Sequence, residues 1–252
     1  MKWLKNIILC LPLLLSGCGE KADEASGDGT QLVMVTSADY PPFEFYDTSK
    51  EDCNVIGFDV DLVNEISKHI GATVRVMDVE FAGVLPAMLS GRADFAMAGI
   101  SPTPQREQNM MFSDIYYNSE NVLLTLKGVE IEEVQNNGQI GVQLGSTQEV
   151  FGRKWQETHP NTFLVKRNKV IEMVQELRSK RMDAVLVEKT IAQAFVGKYP
   201  EDLEIHSVQD DDSGIAIAFP KGSEELVAKF NEALKHLEAS GELQKLRKKW
   251  FT

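Results

Sequence analysis

Short apolar runs alternate with stretches of helical period from residue 31 to residue 97, and this alternation restricts the fold more than any other feature of the 252-residue chain. Residues 31–36 (QLVMVT) are a continuous apolar run and predict a buried strand. Phe58, Leu62, Val63, Ile66 and Ile70 follow at helical spacing, with Gly71 as the stop. A strand over 73–77 comes next, then Phe81 and a second amphipathic helix (Val84, Leu85, Met88, Leu89) closed by Gly91, then a strand over 94–97. Strand, helix, strand, helix, strand is a doubly wound α/β unit, in which ligands bind beyond the carboxyl ends of the strands. Tyr40, Phe81 and Ser101 all follow predicted strands, so they can share one crevice.

The stretch after the third strand, AGISPTPQR at 98–106, carries the clearest chemistry. Thr103 is a good N-cap and Pro104 suits the first helical turn. Free backbone donors, the Ser101 hydroxyl and the Arg106 guanidinium therefore converge at a strand end. Such a set suits a carboxylate, which Arg takes in a bidentate fork. Before it, Tyr40 and Phe43 flank Pro41 and Pro42 in a rigid loop, where Phe43 reads as core and Glu44 as a group that satisfies local backbone donors.

A second α/β pattern begins after residues 121–126, which read as an extended crossing segment. A strand over 140–144 runs into Gly145-Ser146-Thr147-Gln148-Glu149, where Ser146 or Thr147 caps the next helix. Asn168 starts a helix with Val170, Ile171, Val174 and Leu177 inward, and a strand over 183–187 delivers Glu188 at its carboxyl end, where a carboxylate suits an ammonium group. An acidic run at 210–212 leads into an apolar strand over 214–219, and two helices finish the chain. Lys245, Arg247, Lys248 and Lys249 near the last helix end suit its dipole. No internal sequence repeat is visible.

The N-terminus reads as a targeting segment. Lys2 and Lys5 precede an apolar run over 7–15, too short for a permanent bilayer span, so 1–17 is a removable secretory signal. Leu15-Ser16-Gly17-Cys18 matches the bacterial lipobox, a resemblance by which Cys18 would become the acylated first residue of the mature chain, and 18–30 reads as a polar tether. Cys10 leaves with the signal and Cys18 is taken by the lipid, so Cys53 has no second cysteine to join and no intrachain disulfide is expected. Formal net charge is −12, and no basic run or aromatic-basic interleaving exists, which argues against nucleic acid. No motif for a metal or cofactor stands out.

Several motifs in order give a resemblance: YPPFEF at 40–45, GFDVDL at 57–62, GISPTPQR at 99–106, GSTQ at 145–148, and the ending at 241–251 with its KKWF. With these the chain resembles the periplasmic polar amino-acid-binding proteins of ABC importers. The resemblance implies a type II two-lobe fold, with 31–119 and 214–252 in lobe 1 and 120–213 in lobe 2. It implies an L-amino acid in the cleft, delivery to ABC permease transmembrane subunits, a monomer, and a location in the periplasm or on the cell surface. Arg106 would pair with the ligand carboxylate, helped by Ser101 and the amide of Ser146 or Thr147. Ala98 or Gly99 would offer a carbonyl to the ammonium, and Tyr40 and Phe81 would sandwich the side chain. Glu188 stands where the family usually has Asp, which keeps the charge and adds a methylene. The family's Asp for cationic side chains falls at Ser37, whereas Gln143 resembles arginine-type members, so arginine is the favoured ligand. The competing readings are a cyclohexadienyl or arogenate dehydratase on the same fold, for which no second acid follows Glu188, a ligand-sensing lipoprotein, and an adhesin-like surface lipoprotein.

Overall fold

The computed structural model describes residues 30–49, 53–208 and 213–251; the signal segment, Cys18, nearly all of the tether and the acidic run at 210–212 lie outside the described residues. In chain order, β1 (Gln31–Thr36) is followed by a small antiparallel sheet of β2 (Asp39–Tyr40), β3 (Glu44–Tyr46) and β4 (Val55–Ile56). Helix α1 (Phe58–Ile70) buries Phe58, Leu62, Val63 and Ile66 and ends at Gly71 in the left-handed conformation, as the spacing predicts. Next come β5 (Thr73–Asp78), α2 (Phe81–Leu89), β6 (Phe95–Ala96), α3 (Pro104–Glu107), β7 (Met110–Phe112) and β8 (Tyr117–Ser119).

The middle of the chain holds β9 (Asn121–Leu126), α4 (Ile131–Asn137), β10 (Gln139–Gln143), α5 (Thr147–Thr158), β11 (Phe163–Arg167), α6 (Val170–Arg178), β12 (Ala184–Glu188), α7 (Lys189–Lys198) and β13 (Leu203–Ser207). The chain closes with β14 (Ser213–Ile215), β15 (Ala218–Pro220), α8 (Glu224–Ser240) and α9 (Glu242–Trp250).

Two five-stranded sheets result, ordered β5-β1-β6-β15-β7 and β11-β10-β12-β9-β13. Each has three parallel strands followed by two of alternating direction, so the sheets share a plan that the sequence does not repeat. The antiparallel pair β8 and β14 carries the chain between them.

Three expectations change. Residues 121–126 are not the crossing; they form β9, inside the second sheet, and the crossing precedes them at β8. The apolar run 214–219 is not one strand, because β14 belongs to the crossing and β15 to the first sheet, with Ile217 N–H turned to the Ser113 hydroxyl between them. On α2 the buried face is Val84, Ala87 and Met88, so Leu89 is exposed and Leu85 only half-buried. The largest apolar cluster runs from Phe58 and Phe95 through Tyr116 to Val185 and Phe195, which packs both sheets and the crossing into one continuous core.

Candidate functional site

Two strand-end loops face each other between the sheets. In the first, Gly99 has φ +58°, and a Cβ there would sit 2.8 Å from Cε1 of Tyr40; glycine lets the ring approach the backbone. The Thr103 hydroxyl accepts from Arg106 N–H at 3.2 Å and Pro104 opens α3, as predicted. The Arg106 guanidinium donates to the Ser101 carbonyl at 2.9 Å and, across the cleft, to the Gly145 carbonyl at 3.2 Å. It forms no ion pair among the described residues, and burial lowers its pKa while the negative charge of Glu188 opposes the shift. Beside it the buried Ser101 hydroxyl has no partner.

In the second loop Gly145 has φ +82°. The Ser146 hydroxyl accepts from Glu149 N–H at 3.1 Å and caps α5, while Ser146 N–H is turned back to the Gln143 carbonyl at 3.2 Å. Of the two candidate amides, that of Thr147, first in α5, is the one outside this turn. Gly145 N–H donates to Glu149 at 2.8 Å, and Lys166 and Arg153 pair with the same carboxylate. Burial pushes the Glu149 carboxyl up, but these donors outweigh it and bring its pKa down to about 2.

Glu188 ends β12 and is only 2 % exposed. It accepts a hydrogen bond from the Tyr40 hydroxyl across the cleft, and burial, followed by the Glu188 charge, holds that phenol well above its usual range. The Tyr40 ring stacks on Phe43, with centroids 6.1 Å apart. Phe81 opens α2 and is half-buried; its neighbour Ala82 faces Gly145, whose added Cβ would lie 3.5 Å away. Ala98 is buried beside Gly99. Gln143 stands one step off: its amide donates to the Asn168 carbonyl at 3.0 Å and to Asp39 at 3.3 Å.

The structure thus gathers Tyr40, Gly99 and Glu188 at one point and Ser101, Arg106 and the 145–147 loop at another. Sequence reasoning missed Asp39, whose carboxylate accepts from Val170 N–H at 2.8 Å and from the Ser37 hydroxyl at 2.9 Å. It also missed Glu149, although the S-x-x-E spacing from Ser146 was a visible capping signal. Glu44 is a correction: neither of its oxygens accepts from a backbone donor, because the β3 backbone pairs with β2 and β4 while the side chain turns inward beside Asp59. Grooves of about 840 and about 800 Å³ flank the contact, the first bordered by Asp39, Asp78 and Glu80, the second by Leu85, Arg106 and Thr147.

This architecture is shared with known proteins. The arginine-binding extracellular protein ArtP of Bacillus subtilis (strain 168) is 37 % identical, over the whole of this chain and 98 % of its own. A solved substrate-binding protein of an amino acid ABC transporter is 36 % identical with a TM-score of 0.81, covering 88 % of this chain and 99 % of the other. An ancestral arginine-binding protein bound to arginine is 33 % identical with a TM-score of 0.82, over 88 % and 98 %. The fold is the type II, two-lobe fold that the motifs imply, and the family model that matches covers residues 32–252. On these grounds the chain belongs to the bacterial extracellular solute-binding proteins, family 3.

Proposed function

We propose that the protein binds an L-amino acid with a cationic side chain, arginine before lysine or ornithine, and delivers it to the transmembrane subunits of an ABC permease. The observation that carries this reading is a pair of opposite charges on opposite walls of one cleft: Arg106, without an ion-pair partner among the described residues, and Glu188, buried at a strand end. A zwitterion needs both, since a desolvated unpaired charge costs more than the contact returns. The ligand carboxylate takes Arg106, the Ser101 hydroxyl and the Thr147 amide. Its ammonium takes Glu188 and the carbonyl of Ala98 or Gly99. The side chain lies between Tyr40 and Phe81 and points toward Gln143, with a guanidinium plane suited to the rings. The relatives described as arginine-binding support that choice of side chain.

Residues 31–119 with 214–252 form one lobe and 120–213 the other, and ligand binding holds them closed. The mature protein is a monomer, tethered outside the cytoplasm through a lipid on Cys18. Cys18→Ala is expected to abolish lipid labelling; continued labelling overturns the anchor. The direct test is a thermal-shift screen against the twenty amino acids, ornithine and prephenate. A ligand at a hundred times its Kd adds about 2.7 kcal/mol, so arginine is expected to give the largest shift. A shift with prephenate and with no amino acid overturns the binding reading and returns the dehydratase.

A further inference from the structure

Behind the first loop lies a pair of carboxyl groups that ligand binding as described leaves unused. Glu44, on β3, and Asp59, in the first turn of α1, are both wholly buried. Asp59 N–H donates to the carbonyl of Phe43, the residue before Glu44, at 2.9 Å, which sets the two carboxyl groups beside each other and brings each into the other's hydrogen-bonding environment. No Lys, Arg or His forms an ion pair with either among the described residues. Asp59 accepts from the Tyr116 hydroxyl, at 2.9 and 2.8 Å to its two oxygens, and faces the backbone N–H of Gly99. Glu44 has no donor on either oxygen. A proton on Glu44, given to Asp59, supplies one of the Glu44 oxygens with a partner and leaves the other as a neutral carbonyl instead of part of a bare carboxylate.

We propose that Glu44 and Asp59 share one proton, carried on Glu44 and donated to Asp59, and that the pair acts as positioning residues that hold Gly99 in the amino-acid cleft. The inference rests on reading that cleft as an amino-acid site. The charged acids around the pair, Asp39 and Glu188, oppose a second negative charge. Asp39 and Tyr40 on β2, Glu188 on β12 and Tyr116 before β8 are acids or phenols. The nearby Arg247 is committed to the Tyr116 carbonyl and Glu238. Burial, then the negative charge of Asp59, holds the Glu44 carboxyl well above its usual range. Burial also raises Asp59, to about 7, against the donors Tyr116, Glu44 and Gly99.

Loss of the shared proton leaves two carboxylates in contact without a cation. Their repulsion loosens Asp59 from Gly99, which faces the Tyr40 ring so closely that an added Cβ would lie 2.8 Å from it. It also disturbs Tyr116, whose N–H donates to the Ile215 carbonyl in the crossing at 3.0 Å. Both acids have raised pKa values, so the stability tied to their protons is present at low pH and is lost as pH rises, through about 7 for Asp59 and at higher pH for Glu44, which carries the shared proton.

Glu44→Gln tests this, because the amide still donates to Asp59 and cannot ionise. The wild-type protein is expected to show the infrared carbonyl stretch of a protonated carboxylic acid at pH 8, shifted in heavy water and missing from Glu44→Gln. From pH 6 to 9 the wild-type Kd for L-arginine is expected to rise at least about threefold more than that of the variant, a change of about half a pKa unit in binding linkage. Ionisation of the ligand itself is common to both proteins and cancels in that ratio. No protonated band at pH 8, or parallel Kd and Tm profiles, overturns the proposal. Where Glu44→Gln does not fold, Asp59→Asn replaces it, and a band that neither moves nor disappears overturns the proposal. If neither protein binds any amino acid, the cleft reading fails, while the infrared band and the ligand-free Tm profile still decide the proton.

Discussion

The two loops that meet across the cleft are built alike and charged oppositely. Each follows a parallel strand, turns on a glycine with positive φ, and enters a helix capped by a hydroxyl, Thr103 in one and Ser146 in the other. Behind each, a buried acid faces the glycine amide: Asp59 for Gly99 and Glu149 for Gly145. Yet Glu149 is surrounded by Lys166 and Arg153 and sits at about 2, whereas Asp59 has only Glu44, Tyr116 and the amide and sits at about 7. Both carboxyls are shut off from solvent, Asp59 the more deeply, so burial raises Asp59 more than Glu149. The partners add to that difference: among the described residues no cation pairs with Asp59, and Arg106 in the same lobe forms no ion pair.

The largest expected effect comes from removing that asymmetry. Arg106→Ala is expected to weaken arginine binding by about a hundredfold or more in calorimetry, the range for truncating one member of a buried charge pair, with little change in Tm. Near-native affinity would remove the carboxylate from this loop. Glu188→Gln keeps the shape and deletes the charge of the facing wall; a loss of about ten- to a hundredfold is expected, and an unchanged Kd moves the ammonium elsewhere.

The two glycines sharpen the comparison. Both Gly99→Ala and Gly145→Ala impose the left-handed cost of about 1–2 kcal/mol. Only at Gly99 does the new Cβ strike a ring, at 2.8 Å, against an ordinary 3.5 Å at Gly145. Urea melts are expected to rank Gly99→Ala as the less stable, and equal losses would mean that Tyr40 moves freely. The smallest effect is the pH limb of the second loop. Glu149 has a lowered pKa, so its contribution is present above its ordinary value of 4.5 and is lost as pH falls toward 2. Glu149→Gln is expected to cost about 1 kcal/mol at neutral pH and to flatten the Tm profile between pH 5 and about 3. A profile parallel to the wild type would show that Lys166 and Arg153 do not hold it.

How far the sequence carried these features depends on their range. Thr103, Pro104 and Ser146 act within one helical turn, so their capping was legible from neighbours alone. Phe58 through Ile66 were legible from helical spacing, the strand expected over 183–187 and observed over 184–188 from its apolar run, and Glu188 from its place at a strand end. What stayed hidden acts between segments far apart in sequence. Asp39 reaches Val170, Glu44 reaches Asp59 past an intervening loop, and Arg106 reaches the Gly145 carbonyl. Inside the YPPFEF motif Glu44 looks like a loop acid, since nothing local shows that β3 spends its backbone on its neighbours and turns the side chain inward. The strand over 121–126 was placed at the crossing because its apolar run does not reveal which sheet receives it.

The most direct measurement is a calorimetric titration of the wild-type protein with L-arginine and, separately, with agmatine, which keeps the guanidinium and lacks the carboxylate. If opposite walls grip a zwitterion, arginine binds with a Kd of about a micromolar or tighter, and agmatine at least about a hundredfold more weakly. Agmatine binding as tightly as arginine, or no heat with arginine at all, would contradict it.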